Sequence, residues 1–109
     1  MKEDITYELI AKYLKAMADE SRLKILHALH GKTMNVTGIV KQTGLTQSNV
    51  SRHLRVLKQL GLVRAIKKER NVYYSQTSRL PHRICELICG SITSRAKKEV
   101  KEISKFLTE

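Results

Sequence analysis

Nowhere does the sequence hold an unbroken run of about 18 apolar residues, which excludes a membrane-spanning helix. The Met-Lys-Glu-Asp start leads directly into a helical pattern without the apolar stretch of a secretory signal, and points to a cytoplasmic chain. Internal repeats, low-complexity tracts and Gly/Ser linkers are missing, so the 109 residues read as one domain over 1–109 with a modest core. There is no Trp and there are only two Cys, which fits reduced thiols better than a structural disulfide. Acids are scarce in the middle of the chain: from Gly31 to Cys85 there is one, Glu69, against eleven Lys and Arg. The sequence also has no nucleophile–base–carboxylate set, phosphate-binding glycine loop or His-Glu-x-x-His motif, so an enzyme is not expected.

Positive charge is what the chain has in excess. A net charge of +11 is the composition of a polyanion binder. A basic surface alone would suit a membrane or RNA equally well. The stretch from Thr43 to Gly61 turns the argument toward double-stranded DNA. Thr43-Gly44 closes a short helix and Thr46 is a good N-cap for the next. Val50, Leu54, Leu57 and Gly61 then step by four, three and four, so one face of a helix over about 46–60 is apolar. Gln47, Ser48, Asn49, Ser51, Arg52 and Arg55 surround the first turns on the other side. Amides and hydroxyls at that end reach base edges, and Arg and Lys hold phosphates or guanine.

The flanking segments supply the rest of a domain that is mainly α with a small β-hairpin. Ile5, Leu9, Tyr13 and Met17 step by four and, widened by Ile10 and Leu14, mark a first helix from Asp4 to Met17. A second runs from Asp19 or Ser21, either of which can cap it, to a stop at Gly31, with Leu23, Ile25, Leu26 and Leu29 inward. His27 and His30 lie three apart on it, as ordinary helix-end residues. Asn35 or Thr37 caps a short third helix, which with the next forms a helix-turn-helix. After Gly61 the period changes to that of two short strands spanning about 62–76, with Lys68-Glu69-Arg70 as the tip between them. A basic hairpin directly after a recognition helix is a wing, and Lys67, Lys68 and Arg70 are its candidate DNA contacts; otherwise they are a solvated edge that discourages strand pairing.

Pro81 opens a last helix over about 81–107. Ile84, Ile88, Ile92, Ala96, Val100, Ile103 and Leu107 form one apolar stripe along it. At about 1.5 Å per residue that helix is roughly 40 Å long, far beyond a globule whose radius of gyration should be roughly 13 Å. Leu9 and Tyr13 on the first helix, with the stripe from Ile84 to Ile103, are therefore the expected surface of a twofold homodimer.

In these residues the chain resembles the ArsR/SmtB family of bacterial winged helix-turn-helix repressors. The likeness rests on Ala18-Asp19-Glu20-Ser21-Arg22-Leu23-Lys24-Ile25-Leu26, on Thr43 through Leu57, on Gly61-Leu62-Val63 and on Val72-Tyr73-Tyr74, covering roughly residues 5 to 78. It implies a homodimer that binds an operator, blocks transcription and lets go when an inducer binds. His53 falls on the family's Ser-x-His-Leu position, where it should pack or touch backbone. Where many metal-sensing members carry a Cys-Val-Cys-Asp-Leu run, this chain has Asn35-Val36-Thr37-Gly38-Ile39, with neither thiolate nor carboxylate. The Asp, His, His, Glu zinc set of other members is missing from the last helix, whose one His is His82. Sulfur-responsive members pair a Cys on the second helix with one on the last; here His27 stands at the former place.

Cys85 and Cys89 remain. Residues i and i+4 lie on one helical face about 6 Å apart, close enough for two thiolates to chelate a soft ion or As(III), but too far for a disulfide without distortion. A third donor would come from His82, His27 or the other chain of the dimer. The plainer reading is that both are small apolar residues of the dimer stripe. Two functions follow from the sequence: a repressor released by a thiol-reactive inducer at Cys85/Cys89, or a constitutive winged-helix DNA-binding protein with no effector.

Overall fold

The computed structural model describes residues 3–108, all but the first two and the last of the expected single domain. Five helices and one hairpin follow in order: α1 Glu3–Met17, α2 Glu20–Ala28, α3 Val36–Thr43, α4 Gln47–Gln59, β1 Val63–Lys68, β2 Asn71–Gln76 and α5 Leu80–Thr108. None of the described helices is long and apolar enough to cross a membrane.

Local chemistry sets most boundaries. Asp19, not Ser21, caps α2: its carboxylate accepts from the Arg22 backbone N–H at 3.0 Å. That hydrogen bond, ahead of the nearby His53 and Arg22 charges, holds the Asp19 carboxyl below its ordinary range. α2 ends at Ala28, earlier than the sequence suggests, and two turn residues lead to Gly31 at φ 66. Asn35, not Thr37, caps α3 by accepting from the Gly38 N–H at 2.9 Å. Thr46 caps α4 through the Asn49 N–H. The far end of α4 is a Schellman closure: Leu62 N–H reaches the Leu57 carbonyl and Gly61 N–H the Lys58 carbonyl, at 2.9 and 3.0 Å. Gly61 takes the required left-handed φ of 73, and Leu62 and Leu57, the apolar pair such closures favour, are both buried.

The core gathers Met17 of α1, Ile25, Leu26 and Leu29 of α2, Ile39 of α3 and Val50, Leu54 and Leu57 of α4, closed by Leu62 and Val63. β1 and β2 pair antiparallel from Val63↔Gln76 to Lys68↔Asn71, so the tip is the two-residue turn Glu69–Arg70, and Lys68 belongs to the strand. One contact lies outside the sequence reading. Met34, between α2 and α3, bridges Tyr74 with hydrogen bonds in both directions, at 3.1 and 2.7 Å, and so ties the approach to α3 to the base of the hairpin.

α5 docks only by its first turns. Pro81 is buried, Ile84 and Cys85 are half-buried, and every described residue from Glu86 to Leu107 is exposed. Its 29 residues span about 43 Å. The radius of gyration is accordingly 18.4 Å, well above the ~13 Å of a compact domain this size. Tyr13 and Ile84, both expected on the dimer surface, instead pack against the core of their own chain. Leu9, Ile88, Ile92, Val100 and Ile103 remain about half to two-thirds exposed, and Ala96 is exposed.

Candidate nucleic-acid interface

α4 turns its apolar face inward and its N-terminal polar residues outward, because apolar positions recur at helical spacing and the rest are polar. Gln47, Ser48, Ser51, Arg52 and Arg55 are all exposed. Asn49 is half-buried, and its side-chain oxygen accepts from Arg52 Nη2 at 3.1 Å. This bond orients the guanidinium before any ligand arrives. It also means that Asn49 acts in part through Arg52 instead of as a free amide. The Ser48 hydroxyl lies 3.5 Å from that of the cap Thr46.

The hairpin supplies the second basic element. Lys67, Lys68 and Arg70 are exposed. Successive strand residues point to opposite faces, so Lys67 and Lys68 project from opposite sides of the hairpin. Arg64, on the Lys68 side, is held across the strands by the Ser75 hydroxyl at 3.3 Å. The tip residue Glu69 has φ 59, unusual for a side chain with a Cβ.

His53 is buried on the inner face of α4. Of the two expected roles, packing or a backbone contact, it takes the first, and its Nδ1 accepts from Arg22 Nε at 3.2 Å. The two residues lie 31 positions apart, and no spacing rule links them.

The thiol region lies where α5 meets α2. Cys85, His82 and His27 border one small, mainly apolar cavity of about 30 Å³, together with Leu23, Leu26, Gln76 and Pro81. Cys89 is exposed and does not line it; both thiols are free. His82 is already engaged, with its Nε2 3.1 Å from Glu86 and its ring stacked on His30. Among the described residues no group of three or more His, Cys, Asp or Glu is gathered to hold a metal ion. The structure thus brings Cys85 toward both candidate histidines while leaving Cys89 outside. His30, which the sequence reading sets aside as a helix-end residue, is the partner His82 has taken.

Comparison with known proteins bears on the family and the fold. Residues 19–65 match the model of the bacterial regulatory protein arsR family. Over 66 residues the chain is 42% identical to the HTH-type transcriptional regulator NmtR of Mycobacterium tuberculosis, a match covering 61% of this chain and 55% of NmtR. It therefore spans little more than half the length of that relative. The transcriptional activator HlyU of Vibrio cholerae is 37% identical over 75 residues, 69% of each chain, and its reduced form superposes with a TM-score of 0.69 over 78% of this chain and 90% of that one. The homodimeric winged helix-turn-helix DNA-binding domain Mb0332 of Mycobacterium bovis, 25% identical, has a TM-score of 0.74 over 90% of this chain and 93% of its own. The fold is a winged helix-turn-helix, and the chain belongs to the arsR family of bacterial regulatory proteins.

Proposed function

We propose that this chain is a DNA-binding transcriptional regulator of the cytoplasm, and that it works as a homodimer on double-stranded operator DNA. α4 enters the major groove with Gln47, Ser48, Asn49, Ser51, Arg52 and Arg55, and the hairpin lies against the backbone with Lys67, Lys68 and Arg70. The observation that carries this reading is α4 itself, whose exposed N-terminal amides, hydroxyls and guanidiniums stand in the most acid-poor part of a +11 chain. The exposed apolar residues of α1 and α5, and the homodimeric state of the Mycobacterium bovis relative, support the dimer. Twofold DNA reading requires that symmetry.

The same reading makes the regulator an operator-bound repressor released by a thiol-reactive inducer: a soft metal ion, As(III), or a reactive sulfur or redox species. Cys85 and Cys89 are the only thiols, and Cys85 sits at the α2–α5 junction, where α5 leaves the core and runs on into its exposed apolar stripe. A constitutive DNA-binding protein is the second reading. It is favoured by the exposure of Cys89 away from the cavity that Cys85 borders, which fits two unconnected structural thiols.

Selection of duplex sites from a randomised library, followed by titration of the bound complex with As(III), Cd(II), Zn(II), polysulfide and peroxide in turn, tests both layers. Enrichment of a palindromic site with release by at least one reagent is expected. Enrichment without release by any reagent leaves the constitutive reading; no enrichment removes the DNA-reading assignment.

A further inference from the structure

The inward face of α4 is apolar at Val50, Leu54 and Leu57 and polar at one place, His53, the single buried polar side chain among the described residues. Its partner Arg22 does more than donate to it. While Nε donates to His53 Nδ1 at 3.2 Å, Nη1 reaches the Ala16 carbonyl in the last turn of α1 at 3.4 Å. The Arg22 backbone N–H is meanwhile held by the Asp19 cap at 3.0 Å. One side chain therefore joins the end of α1, the start of α2 and the middle of α4.

Stability alone does not call for this arrangement. Burying one polar side chain against a half-buried partner generally stabilises a fold no more than an apolar side chain of the same volume would. A directional bond adds register, which apolar contact lacks. An apolar helix face can turn about its axis with little change in buried area, whereas an N–H···N contact near 3 Å weakens quickly once misaligned. A turn of about 20° would carry a side chain about 5.5 Å from the helix axis through roughly 2 Å. That displacement exceeds what a hydrogen bond to a base edge tolerates.

We infer that Arg22 and His53 are positioning residues for base readout: their hydrogen bond fixes the rotation of α4 against the α1–α2 frame, and so decides whether Gln47, Ser48 and Arg52 meet base edges or only phosphates. The inference rests on α4 being the DNA-reading helix. Neither residue touches DNA. Their effect falls on discrimination between sequences, while affinity for DNA in general, which comes from exposed cations, is left alone.

The test uses the full chain, the duplex site it selects from a randomised library, and a scrambled duplex of the same length and composition. His53→Leu, close to His in volume, should keep the wild-type melting temperature or raise it, and should bind scrambled DNA as before. Its ratio of selected-site to scrambled affinity should fall by at least about tenfold, the size of one mismatched base pair. His53→Asn places an oxygen near the Nδ1 position and should restore the ratio. Arg22→Met also loses the Ala16 contact and leaves His53 Nδ1 unpaired, so it should lower the melting temperature and reduce the ratio at least as much as His53→Leu. Adding His53→Leu to it should reduce the ratio no further, since their shared bond is already gone. A His53→Leu chain with the wild-type ratio overturns the positioning role, and so does a His53→Asn chain that folds but discriminates no better than His53→Leu. A wild type that enriches no sequence overturns the reading of α4 instead, and the positioning role with it.

Discussion

The imidazoles of His30 and His82 stack face to face, with centroids 3.7 Å apart and planes 13° from parallel. The contact joins the turn after α2 to the first turn of α5, beside the cavity that Cys85 borders. Partial burial in the stack, then the neighbouring charges of His82, Arg79 and His27, lower the His30 pKa from its ordinary 6.5, opposed only by Glu86. The folded state therefore takes up this proton less readily than the unfolded chain. Stability from the neutral stack is complete above pH 6.5 and declines as the pH falls through the lowered value. Melting temperatures of wild type and His30→Phe, which keeps a flat ring without the charge, should diverge in favour of the variant on acidification. Parallel curves from pH 8 to 5 would separate His30 from the acid response.

DNA binding should divide by element. Lys67→Ala, Lys68→Ala and Arg70→Ala should each weaken binding to all sequences and reduce the slope of log K against log salt by about 0.9, one phosphate apiece. Gln47→Ala and Ser48→Ala should instead change which bases are preferred, at about 1–3 kcal/mol per position. Asn49→Ala should resemble Arg52→Ala, because Asn49 orients that guanidinium. An unchanged salt slope in all three hairpin variants would take the hairpin off the DNA.

The turn at Glu69 offers a gain-of-stability test. With φ 59 it holds a backbone conformation that glycine adopts without strain and that costs other residues about 1–2 kcal/mol. Glu69→Gly should raise unfolding free energy by about 1 kcal/mol after the glycine entropy cost is deducted. It should also tighten DNA binding, since Glu69 is the one acid between Gly31 and Cys85. Chemical denaturation and a DNA titration read the two effects separately.

A dimer built on α5 has a direct test. Ile92→Glu or Ile103→Glu places a carboxylate in the exposed apolar stripe, where burial without a partner costs several kcal/mol. Sedimentation should show monomers that keep the fold and lose most specific DNA affinity. Because neither residue packs in its own chain, a folded variant that stays dimeric would place the interface elsewhere.

The Cys85→Ser/Cys89→Ser chain should bind operator like wild type and fail to release it with any thiophile that releases wild type. A coupling of about 1–3 kcal/mol, or about 5–150-fold in affinity, is the scale expected of such a switch. The single variants carry further information. If the half-buried Cys85 alone abolishes release, the response passes through the α2–α5 junction and chelation by the pair is not required. Release that persists in the double variant puts any effector away from the thiols.

Much of this fold is legible in the residues themselves, because local signals carry it. The Thr46 cap, the apolar steps from Val50 to Leu57 and the stop at Gly61 involve neighbours in the chain, whose relation a helix sets by its own geometry. Cap choice also depends on neighbours, yet Asp19 over Ser21 and Asn35 over Thr37 needed the actual backbone path, since either residue can cap a helix and the two choices differ only in where the first turn begins. Only the tertiary structure decided which distant residues meet. Arg22 with His53, Met34 with Tyr74 and His30 with His82 are pairings across elements, and their spacings obey no period. The same holds for Tyr13 and Ile84. Each lies on an apolar stripe that sequence alone assigns to one surface, but the stripe of a long helix serves its own core where the globule covers it and is left open where the helix runs past. Periodicity tells which face of a helix is apolar; what that face meets depends on where the rest of the chain ends up.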